Sequence, residues 1–263
     1  MGVLNVTPDS FSDGGEWFSA DDAVRHGLQM LADGASILDV GGESTRPGAA
    51  AVPEAEELER TIPVVRALAR SVQGTGALIS IDTTKSAVAG AALAAGAGYV
   101  NDVSALRGDP RMVELVAGSS ARCCLMHMRG EPRTMQQAPQ YDDVVDEVKA
   151  FLTERAAFAV AAGIAEDRID LDPGIGFGKT VEHNLTLLRR LDELAGLGFR
   201  LMVGVSRKSF IGAVSGVDGP RLRVPGTIAA NVLAFERGAQ VFRVHDVAEN
   251  AQALAVAAAV ALR

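Results

Sequence analysis

Eight short apolar runs recur along the chain, and polar or charged residues stand at or just beyond the end of each run. Between consecutive runs lies a segment whose apolar residues have helical spacing. This alternation predicts eight βα units, which favours the α/β class and a parallel (β/α)8 TIM barrel. The runs are GVLNV (2–6), SILDV (36–40), ALISID (77–82), GYVND (98–102), RCCLMH (122–127), RIDLD (168–172), FRLMVGVS (199–206) and AQVFRVH (239–245).

The length and even composition of the chain favour one domain. A chain of 263 residues suits a (β/α)8 barrel, and no Pro/Ser-rich linker divides it. We therefore expect a single domain over residues 1–263. Aromatic residues make up only 5% of the chain, which is typical of a core packed with small aliphatic side chains.

Charge and cysteine content limit the partners and the location. The net charge is −8 and no dense Lys/Arg run is present, so we expect no nucleic-acid binding. No signal peptide and no apolar run of membrane-spanning length is visible, so we expect no membrane partner. Cys123 and Cys124 are adjacent in an apolar run, where bridging is rare. We expect two reduced core thiols in a cytoplasmic protein.

Two long loops follow the first two runs, TPDSFSDGGEWFSADDA (7–23) and GGESTRPGAAAVP (41–53). Loops of this length inside a compact domain are usually functional, so we predict mobile loops that close over a ligand. A helix is predicted to begin near Glu54, and another to span 142–162 with Gly163 as its C-terminal cap. The last helix, 247–262, is apolar on all sides and too short to span a membrane; it could form a subunit interface.

Carboxylates and a carboxamide mark a ligand site at the run ends. Asp82 and Asn101 end neighbouring predicted strands, and Asp172 ends the sixth. Taken singly, each would be a cap or turn residue, but together they can read the donors and acceptors of a heterocycle. The run DPGIGFGKT (172–180) resembles a nucleotide loop, yet Pro173 stands where the phosphate-binding loop needs glycine. Its glycines favour close approach of the backbone to a flat ligand.

Basic residues on the last two strands indicate an anion site. Ser206, Arg207, Lys208 and Ser209 follow the seventh run, where such barrels often hold phosphate. Arg243 and His245 lie on one face of the eighth strand because strand side chains alternate, and this pair suits phosphate or pyrophosphate. The sequence HMRG (127–130) repeats the His-x-Arg spacing; there a structural and a ligand role remain equally open.

A magnesium site is indicated after the first strand. Asn5 ends that strand, and Thr7, Asp9, Ser10 and Asp13 follow. Oxygen ligands of this kind suit a magnesium ion that keeps most of its waters and binds substrate phosphates. No His/Cys cluster has zinc spacing.

These motifs together resemble the dihydropteroate synthase family, and the likeness spans nearly the whole chain. That family joins 6-hydroxymethyl-7,8-dihydropterin pyrophosphate to p-aminobenzoate, giving dihydropteroate and pyrophosphate for folate synthesis. The motifs are NVTPDSFSDGG (5–15), GGESTRPGA (41–49), SIDT (80–83), NDVSA (101–105), LMHMRG (125–130), DPGIGFGK (172–179), SRKSFIG (206–212) and RVHDV (243–247).

The resemblance implies a role for each motif residue. The pterin would be held by Asp82, Asn101, Asp172 and Lys208, with Met126 and Phe177 lining the pocket. The pyrophosphate would be held by Asn5, Arg243 and His245, with Asn5 near magnesium. The p-aminobenzoate site, where sulfonamides would also bind, would comprise Phe11, Thr45, Arg46, Pro47 and Ser209. Members are commonly homodimers, so the resemblance also implies a homodimer.

Three alternatives remain open. A pterin-dependent methyltransferase barrel shares the ring-reading pattern but has no use for Arg243 and His245 as an anion site. A non-catalytic pterin-binding paralogue is disfavoured by the intact set of Asn5, Lys208, Arg243 and His245. A different phosphate-binding barrel enzyme of sugar or amino-acid metabolism would bind sugar phosphates and no pterin.

Overall fold

The computed structural model describes residues 1–7, 20–44, 50–130 and 134–261. Eight strands form one parallel sheet in chain order. The strands are β1 (Gly2–Asn5), β2 (Ile37–Gly41), β3 (Leu78–Asp82), β4 (Tyr99–Asp102), β5 (Arg122–Met126), β6 (Ile169–Asp172), β7 (Arg200–Val203) and β8 (Val241–Phe242).

Backbone hydrogen bonds also join the first strand to the segment after the last one. The Val3 amide donates to the Val244 carbonyl over 2.9 Å, and the Val244 amide donates to the Met1 carbonyl over 2.9 Å. Val244 also forms a parallel bridge with Gly2. These bonds close the sheet, so the predicted parallel barrel is confirmed.

Helices separate the strands, as the spacing predicted. They are α1 (Ala20–Ala32), α2 (Glu54–Ser71), α3 (Ser86–Ala94), α4 (Arg111–Ala117), α5 (Val144–Ala161), α6 (Val181–Arg189), α7 (Leu191–Ala195), α8 (Ser209–Ser215), α9 (Val224–Glu236) and α10 (Val247–Ala261). The helix predicted near Glu54 begins there. Asp143 caps α5 by accepting from the amides of Val145 and Asp146, and Gly163 follows its end with a φ of +99°, which suits glycine.

The apolar core lies between the strands and the surrounding helices, and it consists mainly of Val, Leu, Ile and Ala. The predicted core of small aliphatic side chains is therefore confirmed for this outer layer. The inside of the barrel differs, because a small apolar cluster there is flanked by charged groups. That cluster contains Ile37, Tyr99, Cys124, Met202 and Val241. Cys123 and Cys124 are both buried free thiols, as predicted.

One buried carboxylate lies beside this apolar cluster, in register with Cys124. The Asp170 carboxylate is fully buried. It accepts from the Tyr99 hydroxyl over 2.6 Å, from Arg122 over 2.9 Å and from both Nε and Nη2 of Arg200 over 2.8 and 2.6 Å. Burial of this charge is tolerable because each of its oxygens is hydrogen-bonded.

The last helix is less buried than its apolar composition suggested. Within α10, only Val247 and Asn250 are buried, while Val256 and Val260 are 61% and 73% exposed. No helix in the described part of the chain is long and apolar enough to cross a membrane.

Candidate active site

A cavity of about 590 Å³ opens at the carboxyl ends of the strands. Every predicted site residue that lies in the described ranges lines it: Asn5, Asp82, Asn101, Met126, Asp172, Phe177, Lys208, Ser209, Arg243 and His245. The predicted p-aminobenzoate residues Phe11, Thr45, Arg46 and Pro47 lie outside the described residues, as do Asp9, Ser10 and Asp13.

Strand register brings the first polar residues to one level of the barrel. Asn5 pairs with Gly41, Gly41 with Asp82, and Asp82 with Asn101. Gly41 has no side chain, and a Cβ there would lie 3.5 Å from the Asp82 Cβ and 3.6 Å from the Asn5 Oδ1. The side chains of Asn5, Asp82 and Asn101 therefore line one space, as predicted for neighbouring strands.

Arg243 crosses the barrel mouth and binds two carboxylates. Its Nε lies 2.6 Å from Asp39 Oδ2, and its Nη2 lies 2.7 Å from Asp82 Oδ2. The buried Asp39 also accepts from Asn101 Nδ2 over 3.0 Å and from Ser80 Oγ over 2.5 Å. Asp39 thus fixes Arg243 and Asn101 together, a role the sequence analysis did not assign. An acid within an otherwise apolar run was the available signal.

The pterin-side residues predicted on β6 and its loop also meet in the cavity. Asp172 pairs in register with Met126, and its Oδ1 accepts from the Gly174 amide over 2.7 Å. Lys208 Nζ donates to the Ile175 carbonyl and lies 4.6 Å above the Phe177 ring centroid. Burial raises the pKa of the Asp172 carboxyl, and the Lys208 ammonium opposes that shift. These contacts give the cavity one wall that presents a carboxylate, a cation and an aromatic face.

Burial also shifts the pKa of two groups that face the ligand space. It raises the pKa of Asp82 to about 7, since loss of solvent disfavours the carboxylate more than Arg243 stabilises it. It lowers the pKa of Lys208 to about 8, although Asp172 favours the charged form. Burial thus favours the neutral form of both groups, and Arg243 and Asp172 oppose it at Asp82 and Lys208 respectively.

The loops after β7 and β8 are joined on the anion side of the cavity. Ser206 Oγ accepts from the His245 amide over 3.1 Å and lies 2.9 Å from His245 Nδ1. Arg207 forms a two-pronged ion pair with Asp246, with distances of 2.9 and 2.5 Å. Ser206 and Arg207 also line the cavity. The two loops are therefore held together beside Lys208 and His245.

The open question about the His-x-Arg repeat after β5 is answered by the fold. His127 and Arg129 are not among the cavity-lining residues. His127 is buried and lies 2.9 Å from Lys179 Nζ, while Arg129 pairs with Glu147 over 2.7 Å. The contacts observed for both residues are therefore with the fold itself, which favours the structural role.

The donor set of the described residues fits a magnesium ion that is carried largely by a substrate. No group of three or more His, Cys, Asp or Glu side chains in the described ranges could hold a metal by itself. Asn5 offers one amide oxygen at the cavity wall. One oxygen is compatible with magnesium, because this ion usually keeps several waters and binds phosphates.

The cavity at the mouth of this parallel barrel therefore combines groups that can hydrogen-bond to a polar ring with groups that can bind an anion. A model of the pterin binding enzyme family matches residues 1–245. The chain belongs to this family of pterin-binding enzymes.

Individual relatives narrow the assignment. The dihydropteroate synthase of Escherichia coli K12 is 49% identical over 256 residues, which cover 97% of this chain and 89% of that protein. The Xanthomonas albilineans dihydropteroate synthase structure with 4-aminobenzoic acid is 49% identical, with a TM-score of 0.92 and coverage of 100% and 92% of the two chains. The structure of that enzyme in complex with 7,8-dihydropteroate is 46% identical and has a TM-score of 0.89. The match covers 100% of this chain and 93% of that chain.

Within the pterin-binding enzymes, the chain thus belongs to the dihydropteroate synthases. The resemblance noted from the motifs is confirmed. The methyltransferase, the non-catalytic paralogue and the sugar-phosphate barrel are not favoured by these relatives.

Proposed function

We propose that this chain condenses 6-hydroxymethyl-7,8-dihydropterin pyrophosphate with p-aminobenzoate, giving 7,8-dihydropteroate and pyrophosphate. The observation that supports this most is that one cavity is lined by both kinds of group. Asp82, Asn101 and Asp172 can hydrogen-bond to a polar ring, and Lys208, Arg243 and His245 can bind an anion. The matching relatives carry the same activity in their names.

The leaving group departs before the amine attacks. A reduced pterin is electron-rich, so it can stabilise positive charge on its methylene as the C–O bond to pyrophosphate breaks. The carboxylates of Asp82 and Asp172 hold the ring and favour that charge. Arg243, His245 and Lys208 stabilise the negative charge that develops on the departing pyrophosphate. The guanidinium has five N–H donors, and its bonds to Asp39 and Asp82 use two of them.

The amine nitrogen then forms the new C–N bond and loses a proton. An arylamine is weakly basic and already neutral at pH 7, so this step needs positioning more than a strong base. Phe11, Thr45, Arg46, Pro47 and Ser209 hold p-aminobenzoate, and the loops 7–23 and 41–53 close to exclude water. No covalent bond forms between the pterin and a protein side chain.

Three further properties belong to the same proposal. Asn5, together with the substrate phosphates, would hold a magnesium ion, and the ion would supply charge neutralisation for the leaving pyrophosphate. The chain forms a homodimer through apolar surface that includes α10, where Val256 and Val260 are exposed. The two buried thiols, Cys123 and Cys124, fit a cytoplasmic location.

Turnover should depend on pH in a bell shape. Asp82 has a pKa of about 7, so kcat/KM should rise as pH increases through 7 and the carboxylate forms. Lys208 has a pKa of about 8, so kcat/KM should fall above pH 8 as the ammonium is lost. Initial rates between pH 5.5 and pH 10, at roughly half-unit steps, measure both limbs.

The variant Lys208→Arg keeps its positive charge at all these pH values, so its alkaline limb should move to higher pH. A wild-type pH profile of kcat/KM with neither an acid limb nor an alkaline limb would contradict the assigned roles of Asp82 and Lys208.

A ligand titration separates this proposal from its rivals. Pterin fluorescence should be quenched on binding, and an excess of a sugar phosphate should not displace the pterin. Displacement by sugar phosphates without any pterin quenching would favour the sugar-phosphate barrel. Pterin binding together with methyl transfer to a corrinoid would favour the methyltransferase.

A further inference from the structure

The loop between Asp172 and Lys179 has an unusual hydrogen-bonding pattern. Each of its five consecutive carbonyl oxygens from residue 174 to residue 178 accepts a hydrogen bond from a side chain. Carbonyls in loops at a protein surface are more often left to water. The donors are Lys179 to Gly174 (3.0 Å), Lys208 to Ile175, Gln136 to Gly176 (2.6 Å), Lys179 to Phe177 (3.0 Å) and Tyr141 to Gly178 (2.8 Å).

The same loop lies directly on the backbone that follows β5. Gly174 and Gly178 have φ angles of +65° and +62°. A Cβ at Gly174 would lie 1.8 Å from the His127 carbonyl oxygen, and one at Gly178 would lie 2.2 Å from the Arg129 carbonyl oxygen. No side chain fits between the two segments, so polar contacts hold them together.

Lys179 provides the central contact between these segments. The residue is 3% exposed. Its Nζ lies 2.9 Å from His127 Nδ1 and 3.0 Å from the carbonyls of both Gly174 and Phe177. A fourth contact, of 3.4 Å, joins Nζ to the His127 carbonyl oxygen. Burial lowers the pKa of Lys179 well below its usual value, whereas the Asp172 carboxylate favours the charged form. In either protonation state the Lys179 nitrogen has N–H groups that can donate to the two loop carbonyls.

The histidine is suited to accept this bond. Burial, reinforced by the charge of Lys179, lowers the pKa of His127 to about 2. The neutral ring can therefore present an unprotonated Nδ1 to the Lys179 Nζ. The rings of Phe151 and Tyr141 surround His127, at centroid distances of 4.9 and 6.1 Å.

The opposite side of the loop carries part of the ligand site. Lys208 donates to the Ile175 carbonyl and lies 4.6 Å above the Phe177 ring. A Cβ at Gly176 would lie 3.1 Å from the Lys208 Cδ. The position of the loop therefore determines where Phe177 and Lys208 face the cavity.

We propose that Lys179 is a positioning residue for the pterin side of the site. Its Nζ holds the Gly174 and Phe177 carbonyls against His127, and the loop in turn places the Phe177 ring and Lys208. This inference rests on the proposed function, because it concerns how the pterin is held. It predicts that loss of Lys179 weakens pterin binding and leaves p-aminobenzoate recognition in place.

The variant Lys179→Met tests the proposal, because methionine fills a similar volume without any donor. We expect the Kd for the free hydroxymethyl dihydropterin, measured by fluorescence titration, to rise by roughly 10- to 100-fold, since small misplacements at a site can cost about that much. The KM for p-aminobenzoate should stay within about twofold of the wild-type value, because Ser209, the member of that predicted site among the described residues, is not one of the contacts of Lys179. Lys149→Met, on the partly exposed face of α5, serves as the matched control and should change neither constant.

Tyr141→Phe provides a second, milder variant. It removes only the hydroxyl that bonds the Gly178 carbonyl, so the pterin Kd should rise by roughly 2- to 10-fold, which corresponds to one hydrogen bond. If Lys179→Met does not fold, Tyr141→Phe tests the proposal in its place. A rise in the pterin Kd without a rise in the KM for p-aminobenzoate supports positioning by the polar contacts of the loop. An unchanged pterin Kd overturns it.

The remaining outcomes separate the two proposals. A folded Lys179→Met protein with an unchanged pterin Kd, or with equal losses for both substrates, would overturn the positioning role. A wild-type protein that binds pterin but does not form dihydropteroate would contradict the proposed function, while the pterin Kd values would still report on Lys179.

Discussion

Replacing Arg243 by methionine should abolish most pyrophosphate release and also weaken the fold. The guanidinium neutralises the buried carboxylates Asp39 and Asp82 over 2.6 and 2.7 Å. Removing one partner of a buried ion pair typically costs about 3–5 kcal/mol in the free energy of unfolding. The loss of a charged donor to the leaving group should reduce kcat by roughly 100- to 1000-fold. Urea unfolding and initial-rate assays measure the two effects.

The double variant Arg243→Met/Asp39→Asn separates the two consequences. Removing the Asp39 charge should restore part of the unfolding free energy, because one uncompensated carboxylate disappears, while turnover stays low. Arg243→Met should also weaken the pterin pyrophosphate ester much more than the free pterin alcohol, whereas Asp172→Ala should weaken both ligands alike. Equal losses of both ligands in Arg243→Met would show that the anion-site assignment is wrong.

Replacing Asp170 by asparagine should cost stability without weakening substrate recognition. Its carboxylate is fully buried and is held by Tyr99, Arg122 and Arg200. Loss of its charge leaves two arginines without their partner, and we expect the unfolding free energy to fall by about 3 kcal/mol. The substrate KM values should stay near the wild-type values, because Asp170 does not line the cavity.

Tyr99→Phe is a milder variant for comparison with Asp170→Asn, since it removes only one hydrogen bond to the same carboxylate. It should lower the unfolding free energy by about 1 kcal/mol. An Asp170→Asn protein as stable as the wild type would contradict the stabilising role of this cluster. A large rise in the pterin KM would show that the cluster also shapes the site.

The fold was predictable from sequence because strand and helix periodicities alternate cleanly along the chain. The predicted runs contain the observed strands, apart from Gly41 at the end of β2. The last strand is shorter than its run: β8 covers Val241–Phe242, and beyond it Val244 bonds to the first strand. Convergence of Asp82 and Asn101 was also predictable, since parallel strands end at the same edge of a sheet.

The supporting contacts could not be predicted, because they join residues that are distant in sequence. Asp39 and Arg243 are 204 residues apart, and no local pattern shows that they pair. Lys179 and His127 are 52 residues apart. In the sequence, Lys179 stood in the run that fails the nucleotide-loop pattern and His127 in the His-x-Arg repeat, and neither motif indicated that the two residues pair. The residues predicted to touch the ligand thus carry a sequence signal, whereas the long-range pairings that hold them in place do not.

Pyrophosphate release from the dihydropterin pyrophosphate tests the proposed activity most directly, with p-aminobenzoate, pterin substrate and magnesium each omitted in turn. We expect release only when both substrates are present, loss of most activity without magnesium, and dihydropteroate formed in an amount equal to the pyrophosphate. Pterin binding without release, whether or not p-aminobenzoate is present, would contradict the assignment of this chain as a condensing enzyme.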